Sequence, residues 1–205
     1  MIACAVLVAI HTMAPFGGAR PALGTNPIAF GFPTESEPLI IDMGTTAFMA
    51  TDLQFRARLG APIPEGVALG PDGEPTMEAS AARRGALLPF GGPEGGYKGF
   101  GLALAMDALG ALAAGVRPAD TVSGYLFIAF EPDLFLPLEN YRREVTQRID
   151  MVKATPRQAG VKEIRIPGER ACKTRARLTR EGIEIGRKIY NALHRLSEGK
   201  LDHGG

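Results

Sequence analysis

Apolar positions follow one another closely at the start of the chain. The run Ile2–Ile10 is rich in β-branched residues and predicts a buried strand over 2–10. Pro15-Phe16-Gly17-Gly18 reads as a turn. Alternation in Pro27–Pro33, bounded by prolines, predicts a second strand, and Leu39–Met43 a third that ends beside an acid. Thr45–Arg58 reads as a helix with Phe48, Leu53 and Phe55 among its apolar positions, Ala61–Pro75 as loop and Met77–Arg84 as a short helix. Leu102, Met106, Leu109 and Leu112 recur at helical spacing, which predicts a helix over Lys98–Ala114 with Gly115 as its C-cap. Gly124–Phe130 predicts a buried strand and Pro137–Val152 a helix. Val161–Ile166 predicts a strand running into a Pro-Gly turn. Thr179–Leu196 reads as a final amphipathic helix whose stripe of Ile183, Ile185, Ile189, Leu193 and Leu196 is expected to pack in a core. The tail after Ser197 is polar.

The chain has 205 residues, enough for one domain or two small ones. Its 45% hydrophobic and 22% charged residues suit a globular protein with a real core. Cys4 and Cys172 fit neither a disulfide framework nor a metal spacing, which predicts a reducing, cytoplasmic setting and no metal site. The apolar start lacks a basic flank and a small-residue cleavage site. It is also far shorter than the ~20 residues of a membrane helix, so neither a signal peptide nor a membrane association is expected.

Charge is uneven. Residues 1–140 carry 7 Lys+Arg and 14 Asp+Glu, while residues 141–205 carry 16 and 8. A +8 C-terminal segment suits an anionic partner, docking on the acidic part, or a solvated basic face. Aromatic residues there are sparse (Tyr141 and Tyr190), so nucleic acid is not the expected partner.

Several standard signatures are absent: Gly-x-Gly-x-x-Gly after a strand, the Walker pattern, His-Glu-x-x-His and Gly-x-Ser-x-Gly. His11, His194 and His203 are scattered and read as surface or packing residues. What remains is a set of four stretches. Gly91-Gly-Pro-Glu-Gly-Gly-Tyr-Lys-Gly-Phe-Gly101 places Tyr97 and Lys98 among six glycines just before an apolar helix, a setting for a phosphate or carboxylate at a helix N-terminus, or simply a flexible loop. Glu163-Ile-Arg-Ile-Pro-Gly-Glu-Arg170 offers guanidinium forks for phosphate, or a hairpin with arginines paired to Glu163 and Glu169. Gly24-Thr-Asn-Pro27 is a side-chain-stabilised turn or a hydrogen-bonding site for a small substrate. Asp42-Met-Gly-Thr-Thr46 places an acid where it caps the next helix or touches a ribose hydroxyl, and Asp52 follows as a carboxylate able to orient a histidine.

In this order the stretches resemble the malate/L-lactate dehydrogenase family of non-Rossmann oxidoreductases, which also holds ureidoglycolate and sulfolactate dehydrogenases and piperideine- and pyrroline-2-carboxylate reductases. The resemblance is carried by Ala14-Pro-Phe-Gly-Gly18, Leu23-Gly-Thr-Asn-Pro-Ile-Ala-Phe30, Ile41-Asp-Met-Gly-Thr-Thr46, Pro64-Glu-Gly66, Pro71-Asp-Gly73, Gly85-Ala-Leu-Leu-Pro89, Tyr97-Lys-Gly-Phe-Gly-Leu-Ala103 and Ile164–Arg170. It implies an α+β fold, a large and mainly antiparallel sheet with surrounding helices, and a homodimer. The implied activity is hydride transfer between NAD or NADP and a small 2-hydroxy/2-oxo or 2-imino acid; NADP is favoured by the arginines available for a 2′-phosphate. By matching position, Asp42, Met43, Gly44, Tyr97, Lys98 and the turn Arg165, Ile166, Pro167, Gly168, Glu169 and Arg170 would hold the cofactor. Thr25 would contact substrate, and Asp52 would complete a Ser–His–Asp relay. Tyr97 stands where the family often has histidine.

The family's catalytic histidine, its neighbouring serine and a substrate arginine lie upstream of the matched region. The chain is therefore expected to be incomplete at its N-terminus. The expected division is a cofactor- and substrate-contacting region over 1–135 and a segment over 136–205 that completes the cofactor site and dimer. The alternative is a non-catalytic nucleotide-binding or dimerisation remnant.

Overall fold

The computed structural model describes residues 1–7, 11–114 and 124–198. Its backbone divides into two compact units, Met1–Pro167 and Gly168–Gly205.

The first unit is built on a four-stranded antiparallel sheet in the order β3-β2-β1-β6. Its strands are β1 (Ile2–Leu7), β2 (Ile28–Phe32), β3 (Leu39–Met43) and β6 (Tyr125–Phe130). Residues 8–10, expected to extend the first strand, lie outside the described residues, as does Gly115. Successive side chains on a strand face opposite ways, so the register sorts the sheet into two faces. Cys4 pairs with Phe30 and with Ile128, and Phe30 with Ile41. That face is covered by helix α3 (Gly92–Ala114). Met106 and Ile28 are buried between them, with Leu102, Leu109, Cys4, Phe30 and Leu126 packed around. Leu102, Met106 and Leu109 fall on the expected stripe, but Leu112 is exposed. At 100° per residue it stands about a quarter turn off the line of the other three.

The opposite face carries small residues at its centre, Ala3, Ala5, Ala29 and Gly31, flanked by Ile40 and Asp42 on one side and Tyr125 and Phe127 on the other. Phe127 is 72% exposed, so β6 is not the buried strand its composition predicts. It is an edge strand, paired with β1 alone, and its outward residues meet no covering layer among the described residues.

Beside the sheet, helices α1 (Ala50–Leu59) and α2 (Ala79–Arg84) pack with the short antiparallel pair of β4 (Ala68–Leu69) and β5 (Ala86–Leu87). Leu53, Ile63, Val67 and Leu87 form the core there. The helix expected from Thr45 begins five residues later, because Thr45 and Thr46 use their hydroxyls on the carbonyls of Thr25 and Phe48. Such local bonds compete with helix. A third cluster, Met13, Leu23 and Ala103, ties the segment after β1 to α3. After a 3-10 turn at Pro132–Leu134, helix α4 (Leu138–Ala154) matches expectation closely. Residues 161–166 have no regular secondary structure and pair with no strand, so the strand predicted there is absent. No helix among the described residues is long and apolar enough to cross a membrane.

The second unit holds α5 (Glu169–Glu181) and α6 (Arg187–Ser197). One helix was expected over 179–196. Gly182, at φ 84°, ends α5 and breaks it. A glycine adopts that left-handed φ without a Cβ penalty. The apolar stripe is consequently split, with Ile183 and Ile185 in the connection and Ile189, Leu193 and Leu196 on α6. All five are exposed, so the expected core packing is not found. His203 and the end of the tail lie outside the described residues.

Candidate functional site

Three of the four singled-out stretches meet in the first unit, and the residue that joins them is Thr45. It is fully buried. Its N–H and its hydroxyl both donate to the Thr25 carbonyl, at 2.8 and 2.9 Å. Its own carbonyl accepts from the Phe90 N–H at 3.0 Å. Gly44, one residue earlier, lies against the same Thr25 carbonyl, which a Cβ at that position would meet at 3.5 Å. On the far side, Phe90 presses on α3 at Gly99: a Cβ there would fall 2.5 Å from the Phe90 oxygen. The path Thr25, Gly44-Thr45, Phe90, Lys98-Gly99 is therefore a chain of direct contacts.

Asn26 fixes one end of this path. It is fully buried at φ 33°, and its Nδ2 donates to the Ala103 carbonyl at 3.0 Å and to Asp107 Oδ1 at 2.9 Å. The Asn26 amide is thus engaged with α3, while Thr25 beside it is half-buried. A short-range reading of Thr-Asn-Pro as a self-contained turn misses this, since the partners lie 77 and 81 residues away in sequence.

Lys98 is not at a helix N-terminus. The helix starts at Gly92, so Lys98 is its seventh residue, and Glu94 supplies the acid in the first turn. Apart from Gly91, the glycines that looked like a loop lie in the helix, and two of them are there for packing: Gly99 against Phe90, and Gly96 against the Phe16 ring, which a Cβ would meet at 2.9 Å. Apolar periodicity could not extend the helix back through residues that have no side chain. Tyr97 and Lys98 both face solvent, with the ammonium 5.7 Å from the Tyr97 ring centroid. Tyr97 in turn meets Phe16 edge-on at 6.2 Å. Lys98 makes no ion pair among the described residues, so its charge is available to an anion.

Asp42 stands exposed on the open face of the sheet, and Met43 follows at the strand end. Asp42 does not cap α1, whose N-cap is Met49 with no side-chain bond. Asp52 lies exposed in the first turn of α1. Arg165 pairs with Glu163 at 3.8 Å, both exposed. Ile166 and Pro167 close the first unit, and Gly168, at φ 87°, opens the second as N-cap of α5, with Glu169 and Arg170 in the first turn. Among the described residues no group of three His, Cys, Asp or Glu side chains is placed to hold a metal ion.

A pocket that the sequence did not signal lies on the other side of Gly96. It has a volume of about 460 Å³ and is walled by the Phe16-Gly17-Gly18 turn, Gly66, Leu69, Gly73, Leu88 and the start of α3.

An antiparallel sheet with a glycine-bearing helix across one face is not the parallel, doubly wound dinucleotide fold. The chain belongs to the malate/L-lactate dehydrogenase family, whose model matches residues 1–194. It is 38% identical over 192 residues to L-sulfolactate dehydrogenase of Methanocaldococcus jannaschii, covering 88% of this chain and 54% of that protein. It is 34% identical over 197 residues to a Delta(1)-pyrroline-2-carboxylate reductase of Pseudomonas fluorescens, covering 90% of this chain and 56% of that one. The solved sulfolactate dehydrogenase from M. jannaschii superposes with a TM-score of 0.78 at 34% identity, over 97% of this chain and 60% of that chain. The chain thus spans little more than half the length of the relatives it matches.

Proposed function

We propose that the chain is the cofactor- and substrate-contacting part of an NAD(P)-dependent oxidoreductase acting on a small 2-hydroxy/2-oxo or 2-imino acid. The observation that carries this reading is the contact path from Thr25 through Gly44-Thr45 and Phe90 to Lys98-Gly99. It brings together residues that family likeness assigns to substrate and to cofactor.

The residues fit such a cofactor chemically. Lys98 offers an exposed ammonium for phosphate oxygens, and Tyr97 an exposed ring and hydroxyl beside it. Asp42 offers a carboxylate for a ribose hydroxyl, with Met43 and Gly44 continuing the wall. By family likeness the Arg165–Arg170 turn, including Ile166, Pro167, Gly168 and Glu169, would add two guanidinium groups, and their number favours NADP over NAD. When bound, the nicotinamide supplies or accepts the hydride. By family likeness Thr25 would orient the acid, and Asp52 would hold the ring of the proton-exchanging histidine that the family places upstream of the matched region. The partner is a second copy of the chain, as a homodimer in a reducing, cytoplasmic setting.

A second reading, nucleotide binding without turnover, is favoured by Asp52 itself. Among the described residues it has no histidine partner.

Titration of the chain with NADH and NADPH, followed by quenching or calorimetry, tests the first point. Binding is expected, and Lys98→Ala is expected to weaken it roughly 10- to 100-fold, the worth of one charge-assisted contact. No binding at millimolar cofactor contradicts the proposal. Assays with malate, lactate, ureidoglycolate and pyrroline-2-carboxylate then separate the two readings, since measurable turnover removes the second.

A further inference from the structure

We infer that the chain carries a second binding site, for a small oxyanion, in the cleft where the His11-Thr12 segment meets α1 and α2; the site is independent of the cofactor reading above. The cleft has a volume of about 210 Å³. That is too small for a nucleotide and ample for a phosphate, a sulfate or a short carboxylic acid. Its floor is apolar, Leu53 from α1 and Leu87 from β5, and its rim is polar: His11, Thr12, Gln54 and Arg83.

The rim selects the sign of the ligand. No Asp or Glu side chain lines the cleft, so a hard metal cation finds no carboxylate there. Arg83 is a permanent cation whose planar fork matches two oxygens of one anion. It lies exposed in the last turn of α2 and, like His11, makes no ion pair among the described residues. The imidazole has an N–H to donate in either protonation state, and the Gln54 amide adds two more donors.

Thr12 singles this cleft out. Its N–H donates to the Leu23 carbonyl and its carbonyl accepts from the Leu87 N–H, both at 2.8 Å, so the backbone there is fixed. Its hydroxyl is shielded from solvent and has no hydrogen-bond partner. Shielded polar groups are nearly always partnered, and a hydroxyl proton turns to suit an acceptor. An oxyanion in the cleft is such an acceptor. An apolar guest would leave the hydroxyl orphaned and would strip water from Arg83 without replacing it.

The cleft is distinct from the residues assigned to substrate and cofactor. At 100° per residue, Ala50, Leu53 and Gln54 share one face of α1, and Asp52 points about half a turn away from them. Thr25, Asp42, Met43, Gly44, Tyr97 and Lys98 do not line it. The link to Thr25 is indirect and runs through the hydrogen bond from Thr12 to Leu23.

Amide shifts in two-dimensional NMR of the whole chain, titrated separately with inorganic phosphate and with malonate, test the proposal. Saturable shifts are expected at Thr12, Gln54 and Leu87, and the probe that saturates at the lower concentration tells an inorganic from a carboxylic ligand. Arg83→Gln should raise the dissociation constant read at these amides about 10- to 100-fold, the worth of a charge-assisted contact. Thr12→Val keeps the side chain's shape. It should leave the thermal midpoint of the free chain unchanged or higher, yet weaken binding about 3- to 10-fold. A hydroxyl that served only the fold would lower the midpoint and leave the affinity alone, which would contradict its assignment as a ligand donor. Arg84→Gln removes the neighbouring exposed charge and Lys98→Ala the cation on α3, and neither should alter the constant. No saturation with wild type at tens of millimolar of either probe overturns the proposal. An equal loss in folded Arg83→Gln and Arg84→Gln also overturns it, as general charge screening. So does a loss in Lys98→Ala, which would move the anion to α3.

Discussion

At the residue scale, Asn26 shows how a short polar side chain sets the geometry of a site without touching a ligand. A buried amide with two protein partners replaces water that the site would otherwise admit. Asn26→Ala leaves the Ala103 carbonyl and Asp107 short of a donor and forces a Cβ-bearing aliphatic residue to hold φ 33°. Two lost hydrogen bonds and an unfavourable backbone suggest a cost of about 2–4 kcal/mol in urea unfolding. Thr25 would shift with its neighbour, so cofactor or substrate affinity should fall too. Cys4 gives a second test. Burial pushes its thiol pKa up, so the folded chain holds the proton more tightly than the unfolded chain does. That stabilisation is whole below the ordinary thiol range and is lost as pH rises through it toward the raised value. The urea midpoint should therefore fall between pH 8 and about pH 10, and less so in Cys4→Ala. Equal pH profiles for the two proteins would contradict this.

At the scale of elements, α3 is the informative case. Its glycines look alike in sequence but differ in surroundings. Gly101 has open space where a Cβ would go, whereas Gly99 has the Phe90 backbone 2.5 Å away. Gly101→Ala should raise stability by about 0.5–1 kcal/mol through helix propensity alone. At Gly99 the same gain is outweighed, because a backbone carbonyl cannot rotate away as a side chain would. A net loss of roughly 1–3 kcal/mol is expected, with weakened cofactor binding. Comparing the two variants' thermal midpoints checks the sign of each. The strand at Ile28–Phe32 was legible from alternation and flanking prolines, and that at Leu39–Met43 from a short apolar run ending at an acid. The start of α3 was not, since a residue without a side chain contributes nothing to periodicity. Nor was the exposure of β6, because burial of an apolar strand depends on its place in the sheet. The break at Gly182 was hidden by the apolar residues on either side of it.

At the scale of the whole chain, family membership and the α+β antiparallel architecture could be read from the order of short motifs, none of which is diagnostic alone. The contact path through Thr45 could not. Its links join residues 25, 45, 90 and 99, and distances of that kind belong to the fold rather than to any local window. The basic character of residues 141–205 is carried by helices that keep their arginines in solvent, several paired with glutamates on the same helix, as with Arg177 and Glu181 at 3.1 Å.

The central claim is that Thr25, Gly44–Thr45 and Tyr97–Gly99 belong to a single ligand-binding site. Amide hydrogen exchange with and without NADPH, read on peptides covering these three stretches, tests it most directly. All three should slow together on adding cofactor, and Lys98→Ala should abolish the effect in all three at the same cofactor concentration. Protection confined to one stretch, or appearing only elsewhere in the chain, would contradict it.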